Sequence, residues 1–144
     1  MALTQVYTGR TFYYTRHETP TGKLTVAVEY EVEEQRVPSL LDTGAEWGIF
    51  PADLADTLGY DPLAEGVPTV LDTRLGKYQG YLLRIPIFIP ATEGDGLDVE
   101  LTWIVVPGWP GPPVMGWGGC LERLRFAIDP ATETFYFGEL GVGR

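Results

Sequence analysis

Three stretches of this sequence alternate apolar and polar residues with a period of two. Over 24–33, Leu24, Val26, Val28, Tyr30 and Val32 share one face, and Thr25, Glu29, Glu31 and Glu33 the other. Over 97–105, Leu97, Val99, Leu101, Trp103 and Val105 stand against Asp98, Glu100 and Thr102. Tyr81, Leu83, Ile85, Ile87 and Ile89 form a third apolar row. Successive side chains of a strand point to opposite faces, so these are half-buried strands. Pro86 interrupts the third and, lacking an N–H, predicts an edge position or a bulge. Phe126–Ile128 and Thr134–Phe137 flank the turn sequence DPATE and read as a further pair of strands. Helical signals are few. Pro51 opens a short run with Leu54 and Leu58 four apart, stopping at Gly59, and CLERLRF (120–126) is a second candidate. With 18 Gly and 12 Pro to make turns, the expected class is all-β, a barrel-like domain with one or two short helices.

Composition removes several functions. The 144 residues show no linker, repeat or low-complexity tract, and predict one domain, 1–144. At 44% hydrophobic and 21% charged residues the chain can bury a core, so disorder is excluded. Ten basic against twenty acidic residues give a net charge of −10, which repels phosphate backbones and predicts no nucleic-acid partner. Glu29, Glu31, Glu33 and Glu34 supply part of it as a solvated strand face and turn. One cysteine, Cys120, makes no internal disulfide or metal pair and reads as a buried small residue. The single His17 forms no metal cluster and reads as a solvated surface histidine at a loop or strand end. No metal and no cofactor are expected. Residues 101–121 carry no charge, but nine of the 21 are Gly or Pro, which no lipid-embedded helix tolerates. They read as a buried strand followed by a rigid loop. With no secretory apolar core near the N-terminus either, a soluble, cytoplasmic protein without membrane contact is expected.

The informative segment is VPSLLDTGAEWGIF, residues 37–50. An apolar run ending in Leu40 and Leu41 delivers Asp42, followed by Thr43, Gly44 and Ala45, before the chain returns to apolar Ile49 and Phe50. A strand leading into Asp-Thr-Gly presents a carboxylate at its end, and the glycine lets a second backbone or a ligand approach. On the tripeptide alone, an ordinary turn is the simpler reading. Two further segments change that. PGWPGPPVMGWGGCLERLRF places Val114-Met115-Gly116 after a proline loop and before the second helix candidate. Between the two, TRLGKYQGYLL sets Gly76 and Gly80 around Lys77, Tyr78 and Gln79.

Together these segments resemble the retropepsin-like aspartic proteases over roughly residues 22–138. That family has an apolar pair before Asp-Thr-Gly-Ala, then a flap hairpin with a Gly-bearing tip, then an apolar-apolar-Gly element and a short helix. The resemblance implies a single-lobed acid-protease fold, a closed barrel, with Asp42 catalytic and no cofactor. It implies support from Thr43, Gly44 and Ala45, a flap hinge or tip at Gly76 and Gly80, and substrate contacts from Glu46, Lys77, Tyr78 and Trp109. The chemistry needs a water deprotonated as it attacks and a carbonyl protonated. Two carboxylates about 3 Å apart cannot both ionise, so one is the acid and the other the base, titrating as a unit. One chain supplies one such group. VLDTR (70–74) echoes LLDTG, but Arg74 replaces the glycine, so Asp72 reads as a strand-end or turn residue. The second Asp42 is expected from another copy across a two-fold axis, making a homodimer acting on a peptide or protein.

The pattern departs from the family at two places. Where many retropepsins pair an acidic residue with an arginine after the apolar-apolar-Gly, Glu46 fills the first position but Trp117 the second. Arg123 or Arg125 are the available substitutes. Trp47 narrows a substrate pocket or adds to the core, and core is the default for one tryptophan. Tyr78 and Tyr81 are either flap contacts or ordinary strand residues, and the Trp109–Pro113 loop either lines a cleft or is a stiff connector. Two other functions remain open: a non-catalytic peptide-binding or dimerisation module on the same fold, and an unrelated small barrel whose Asp-Thr-Gly is a chance turn.

Overall fold

A computed structural model of the chain describes residues 6–18, 23–74 and 76–141, with side chains outside 16–18, 23 and 24. The N-terminal half holds β1 (Gly9–Phe12), β2 (Tyr14–Glu18), β3 (Lys23–Val32), β4 (Gln35–Leu41) and β5 (Gly48–Phe50), then α1 (Ala52–Thr57) and α2 (Pro62–Glu65). The remainder holds β6 (Val67–Thr73), β7 (Gly76–Ile89), β8 (Glu93–Gly94), β9 (Leu97–Val105), β10 (Val114–Met115), β11 (Leu124–Asp129) and β12 (Thr134–Glu139). The three alternating stretches are strands β3, β7 and β9, and DPATE is the turn between β11 and β12. Asp129 Oδ1 accepts the N–H of Ala131 across that turn, 3.0 Å away. Strands β1 and β2 lack a clear alternation and were not expected. The backbone of His17 lies near the end of β2, opposite Leu24, which is the strand-end alternative.

The fold is all-β as expected, though with two sheets it is not a clean closed barrel. An eight-stranded sheet runs β2-β3-β4-β10-β5-β9-β7-β6 and curls until β3 meets β7 at one pair, Glu31 opposite Phe88. A separate four-stranded sheet runs β11-β12-β1-β8. The apolar rows meet in one core that includes Val28, Tyr30, Ile85, Ile87, Leu101, Trp103, Met115 and Phe137. The rings of Tyr30, Phe50 and Trp103 pack with centroids 5.2–6.3 Å apart, and the Trp103 indole donates to Ile85 O. Burying each such large apolar side chain contributes roughly 1.5–3 kcal/mol, so the rows dictate which face turns inward. Pro86 pairs with Glu100 of β9, and the β6 ladder on its other side has already ended at Leu82. No N–H is required of it there.

Helix α1 starts after Pro51, which is its N-cap, and Gly59 at φ +88° follows its end. The second helix is not at 120–126. It is α2, where Asp61 accepts the N–H of Ala64 and Glu65 accepts the N–H of Asp61, a reciprocal cap. Residues 120–126 give only a single 3-10 turn, Leu121–Arg123, before β11 begins at Leu124. Leu121 and Leu124 are both buried, as one turn allows, while Phe126 packs on Phe135 as a strand residue. Pairing with β12 satisfies the backbone through Asp129, whereas a seven-residue helix leaves its end groups unpaired. Among the described residues no helix is long and apolar enough to cross a membrane.

Candidate functional site

Asp42 stands at the end of β4, where the ladder stops and the chain turns. Its Oδ1 accepts the N–H of Gly44 at 3.0 Å and its carbonyl accepts the N–H of Ala45 at 3.1 Å, a tight turn built by the carboxylate itself. Asp42, Thr43 and Gly44 are all exposed, and Ala45 is half-buried. The space over Gly44 is open. A side chain there would meet only Asp42 Oδ1, at 3.4 Å.

The turn is pinned from behind by β10. Val114 and Met115 run parallel to Leu40 and Leu41 of β4, while Val114 also pairs antiparallel with Ile49 of β5. The later strand thus slots between two strands that are neighbours in sequence. The Asp42 N–H donates to Met115 O and the Leu40 N–H to Pro113 O, both at 3.0 Å. Beyond β10, the N–H groups of Trp117 and Gly118 donate to Ala45 O and Glu46 O at 2.8 Å. Gly116 is required for this approach, because a Cβ would sit 2.2 Å from Trp47 O. Sequence reasoning marked Val114-Met115-Gly116 but missed Gly118, which pairs with Trp47 as an isolated bridge. The spacing Gly-x-Gly at 116–118 was the available signal.

These backbone bonds occupy the place where an ion pair was sought. Among the described residues Glu46 makes no ion pair, and neither Arg123 nor Arg125 reaches an acid. Arg125 Nε is buried without an acceptor among the described residues. Trp117 is 45% exposed. Trp47 is half-buried against an apolar cluster centred on Ile49, Leu71, Ile104, Val106 and Val114, its Nε1 buried without an acceptor among the described residues.

Strands β6 and β7 form a long hairpin, with Asp72 opposite Lys77 and Thr73 opposite Gly76. Gly76 sits at the turn with φ +122°, a backbone that favours glycine. Gly80 does not. It is buried within β7, where a side chain would lie 2.6 Å from Ile104, so its role is close packing of the hairpin base. Lys77 and Asp72 are exposed near the tip, and Asp72 belongs to β6 rather than to the turn that bears Asp42. Tyr78 is half-buried, its ring edge-on to Trp109 with centroids 5.2 Å apart, and Tyr81 is half-buried further along β7. The Trp109 indole donates to Pro112 O at 3.0 Å. A cavity of about 210 Å³ opens beside Trp109, lined by Ile49, Pro51, Asp53, Gly108 and Pro113; Asp42 does not line it.

Behind the site, Cys120 lies near Gly48 and Trp103 and is wholly buried. Burial pushes its thiol up to about 12, so it is protonated and unreactive at neutral pH. Burial likewise raises the Tyr30 hydroxyl far above its ordinary value, with the Cys120 charge adding to it.

No protein-family model matches the chain, and no curated protein matches it. Solved structures do. A retropepsin-like aspartic protease from Rickettsia conorii superposes with a TM-score of 0.55 at 17% identity, over 88% of this chain and 98% of that one. Conglutin gamma, a basic 7S globulin from lupine seeds, superposes with a TM-score of 0.55 at 12% identity, over 92% of this chain. The chain spans 50% of the length of that globulin. At these identities the likeness concerns the fold: the chain has a retropepsin-like fold.

Proposed function

We propose that this protein is a homodimeric aspartic endopeptidase. The observation that carries the reading is Asp42: an exposed carboxylate at a strand end, its turn held by a strand inserted from the far end of the chain, on a retropepsin-like fold. One chain brings one such carboxylate. Asp72, the nearest sequence echo, lies within β6, paired with Lys77 of β7. The second carboxylate is therefore Asp42 of another copy, and the exposed Asp42-Thr43-Gly44 edge is the surface that meets it. In the pair one Asp42 takes the proton of the attacking water and the other protonates the peptide carbonyl. Thr43 braces the pair, Ala45 backs it, and Gly44 offers backbone to an extended peptide. Glu46, Lys77, Tyr78 and Trp109 line the peptide's path, with Gly76 at the flap tip. Replacing Asp42 by Asn is expected to lower peptide cleavage roughly a thousandfold or more while the urea midpoint stays put. Cleavage at the wild-type rate by that variant overturns the mechanism.

A second reading has its own support. Among the described residues Glu46 lacks the ion pair that the family pattern suggests, and a similar fold is found in a seed globulin as well as in a protease. Fold does not dictate chemistry, so a non-catalytic peptide-binding or dimerisation module is the alternative. Incubation with a diverse peptide library across pH separates the two: cuts that depend on Asp42 favour the enzyme, and binding without cuts favours the module.

A further inference from the structure

We propose that the cavity beside Trp109 is a binding pocket for one cationic side chain, an arginine or lysine presented by an extended peptide. The proposal goes beyond the catalytic reading, because Asp42 does not line this cavity and no step of cleavage is asked of it. The cavity holds about 210 Å³ between Ile49, Pro51, Trp109 and Pro113, walls that are apolar. The described residues that line it carry one charge, the carboxylate of Asp53. That carboxylate is exposed, and among the described residues it makes no ion pair and no hydrogen bond. Only the backbone carbonyl of Asp53 is engaged, accepting the Thr57 hydroxyl at 2.9 Å. Helix α1 does not use the carboxylate either, since it starts on Pro51 without a side-chain cap.

The walls are fixed by bonds within the chain. The Trp109 N–H donates to Val106 O at 3.1 Å across a turn in which Gly108 takes φ +74°. The indole N–H is spent on Pro112 O at 3.0 Å, so the ring offers a guest only its carbon surface. Ile49 is held between Ile104 of β9 and Val114 of β10, and Pro51 and Pro113 have fixed φ. A rigid apolar slot with an aromatic wall and one unpaired carboxylate is complementary to a long alkyl stem with a cationic head. The stem lies on the aliphatic walls, and the head sits beside the indole within reach of Asp53. A neutral side chain leaves Asp53 unpaired, and an acidic one is repelled by it. The net charge of −10 draws cations to the chain as a whole, but it does not choose this place on it.

Titration of the blocked peptide acetyl-Gly-Gly-Arg-Gly-Gly-amide into the nitrogen-15-labelled chain tests this, read by NMR at the Trp109 indole N–H and the Asp53 and Gly108 amides. A saturable shift of these signals is expected. The counterpart with citrulline for arginine, which keeps the shape and loses the charge, should bind about three- to tenfold more weakly. Asp53→Asn should weaken the arginine peptide by a similar factor and leave the citrulline peptide as it was. The carboxylate is exposed and caps nothing, so this variant keeps the fold. Asp56→Asn removes the same charge from the same helix at an exposed position outside the cavity, and should leave binding within about twofold of the wild type. No saturable shift, equal binding of the citrulline peptide, or an equal loss in Asp56→Asn overturns the pocket. The Asp42→Asn chain should bind the arginine peptide like the wild type. Failure of the pocket thus shows in binding, and failure of the catalytic reading in cleavage.

Discussion

Two residues in the core make the protein sensitive to alkali although neither touches peptide. Cys120 and Tyr30 are fully buried, and burial raises both above their ordinary values, Cys120 to about 12. Between the unfolded thiol value of 9.0 and about 12, the native state keeps a proton that the unfolded state has lost. Native chains then bind more protons than unfolded ones, so stability falls as pH rises through that window. At pH 10.5 the Cys120 contribution is a loss of about 2 kcal/mol relative to pH 8. Urea unfolding at the two pH values should show it, and Cys120→Ala should flatten the decline. An equal decline in the variant would assign the whole effect to other groups such as Tyr30. At this scale Asp42, Thr43 and Gly44 were legible in the sequence, because a carboxylate after an apolar run and before glycine is a local pattern. Trp47 was read as core by default and packs so, but Gly118 was not legible, because its importance lies in meeting Trp47 across 71 positions of chain.

Among the elements, β10 matters most for its length. Its two residues join β4 to β5, and the bonds that follow it tie Trp117 and Gly118 to the carbonyls of Ala45 and Glu46. Gly116→Ala should therefore destabilise the fold by about 1–3 kcal/mol, since the new methyl group would collide with the Trp47 carbonyl rather than with a movable side chain. A shift in the denaturant midpoint checks this, and an unshifted midpoint means the segment relaxes freely. The same element shows where reading by pattern stopped. Val114-Met115-Gly116 was visible as an apolar pair and a glycine, but nothing in three residues says that they lie parallel to Leu40 and Leu41. CLERLRF carries helical spacing, yet its residues from Leu124 onward are drawn into β11 by pairing with β12. Asp61 and Glu65 did signal the start of α2, a reciprocal cap within five residues that went unread.

For the whole molecule, charge is the controlling quantity. The proposed dimer would bring together two chains of net charge −10, and the sequence pI is near 4.4. Repulsion between copies should ease as pH falls toward the pI, so association, and with it cleavage, is expected to strengthen in mild acid. Sedimentation at pH 5.5 and 7.5 at fixed ionic strength measures this. A dimer that tightens as pH rises contradicts the charge argument, and a chain that stays monomeric at high concentration contradicts the homodimer itself.

The amino-acid sequence by itself determined the all-β class, the inward rows of β3, β7 and β9, the turn between β11 and β12, and the strand-end position of Asp42. All of these follow from alternation and turn chemistry acting over a few neighbouring residues. Only the tertiary structure decided that β10 enters between β4 and β5, that backbone bonds stand where an arginine pair was sought, that Gly80 packs a hairpin base, and that the sheet curls without closing cleanly. The physical reason is one of range. Side-chain direction is set by the local backbone, whereas the partner of each strand is set by hydrogen bonds and packing between segments that are distant in the chain.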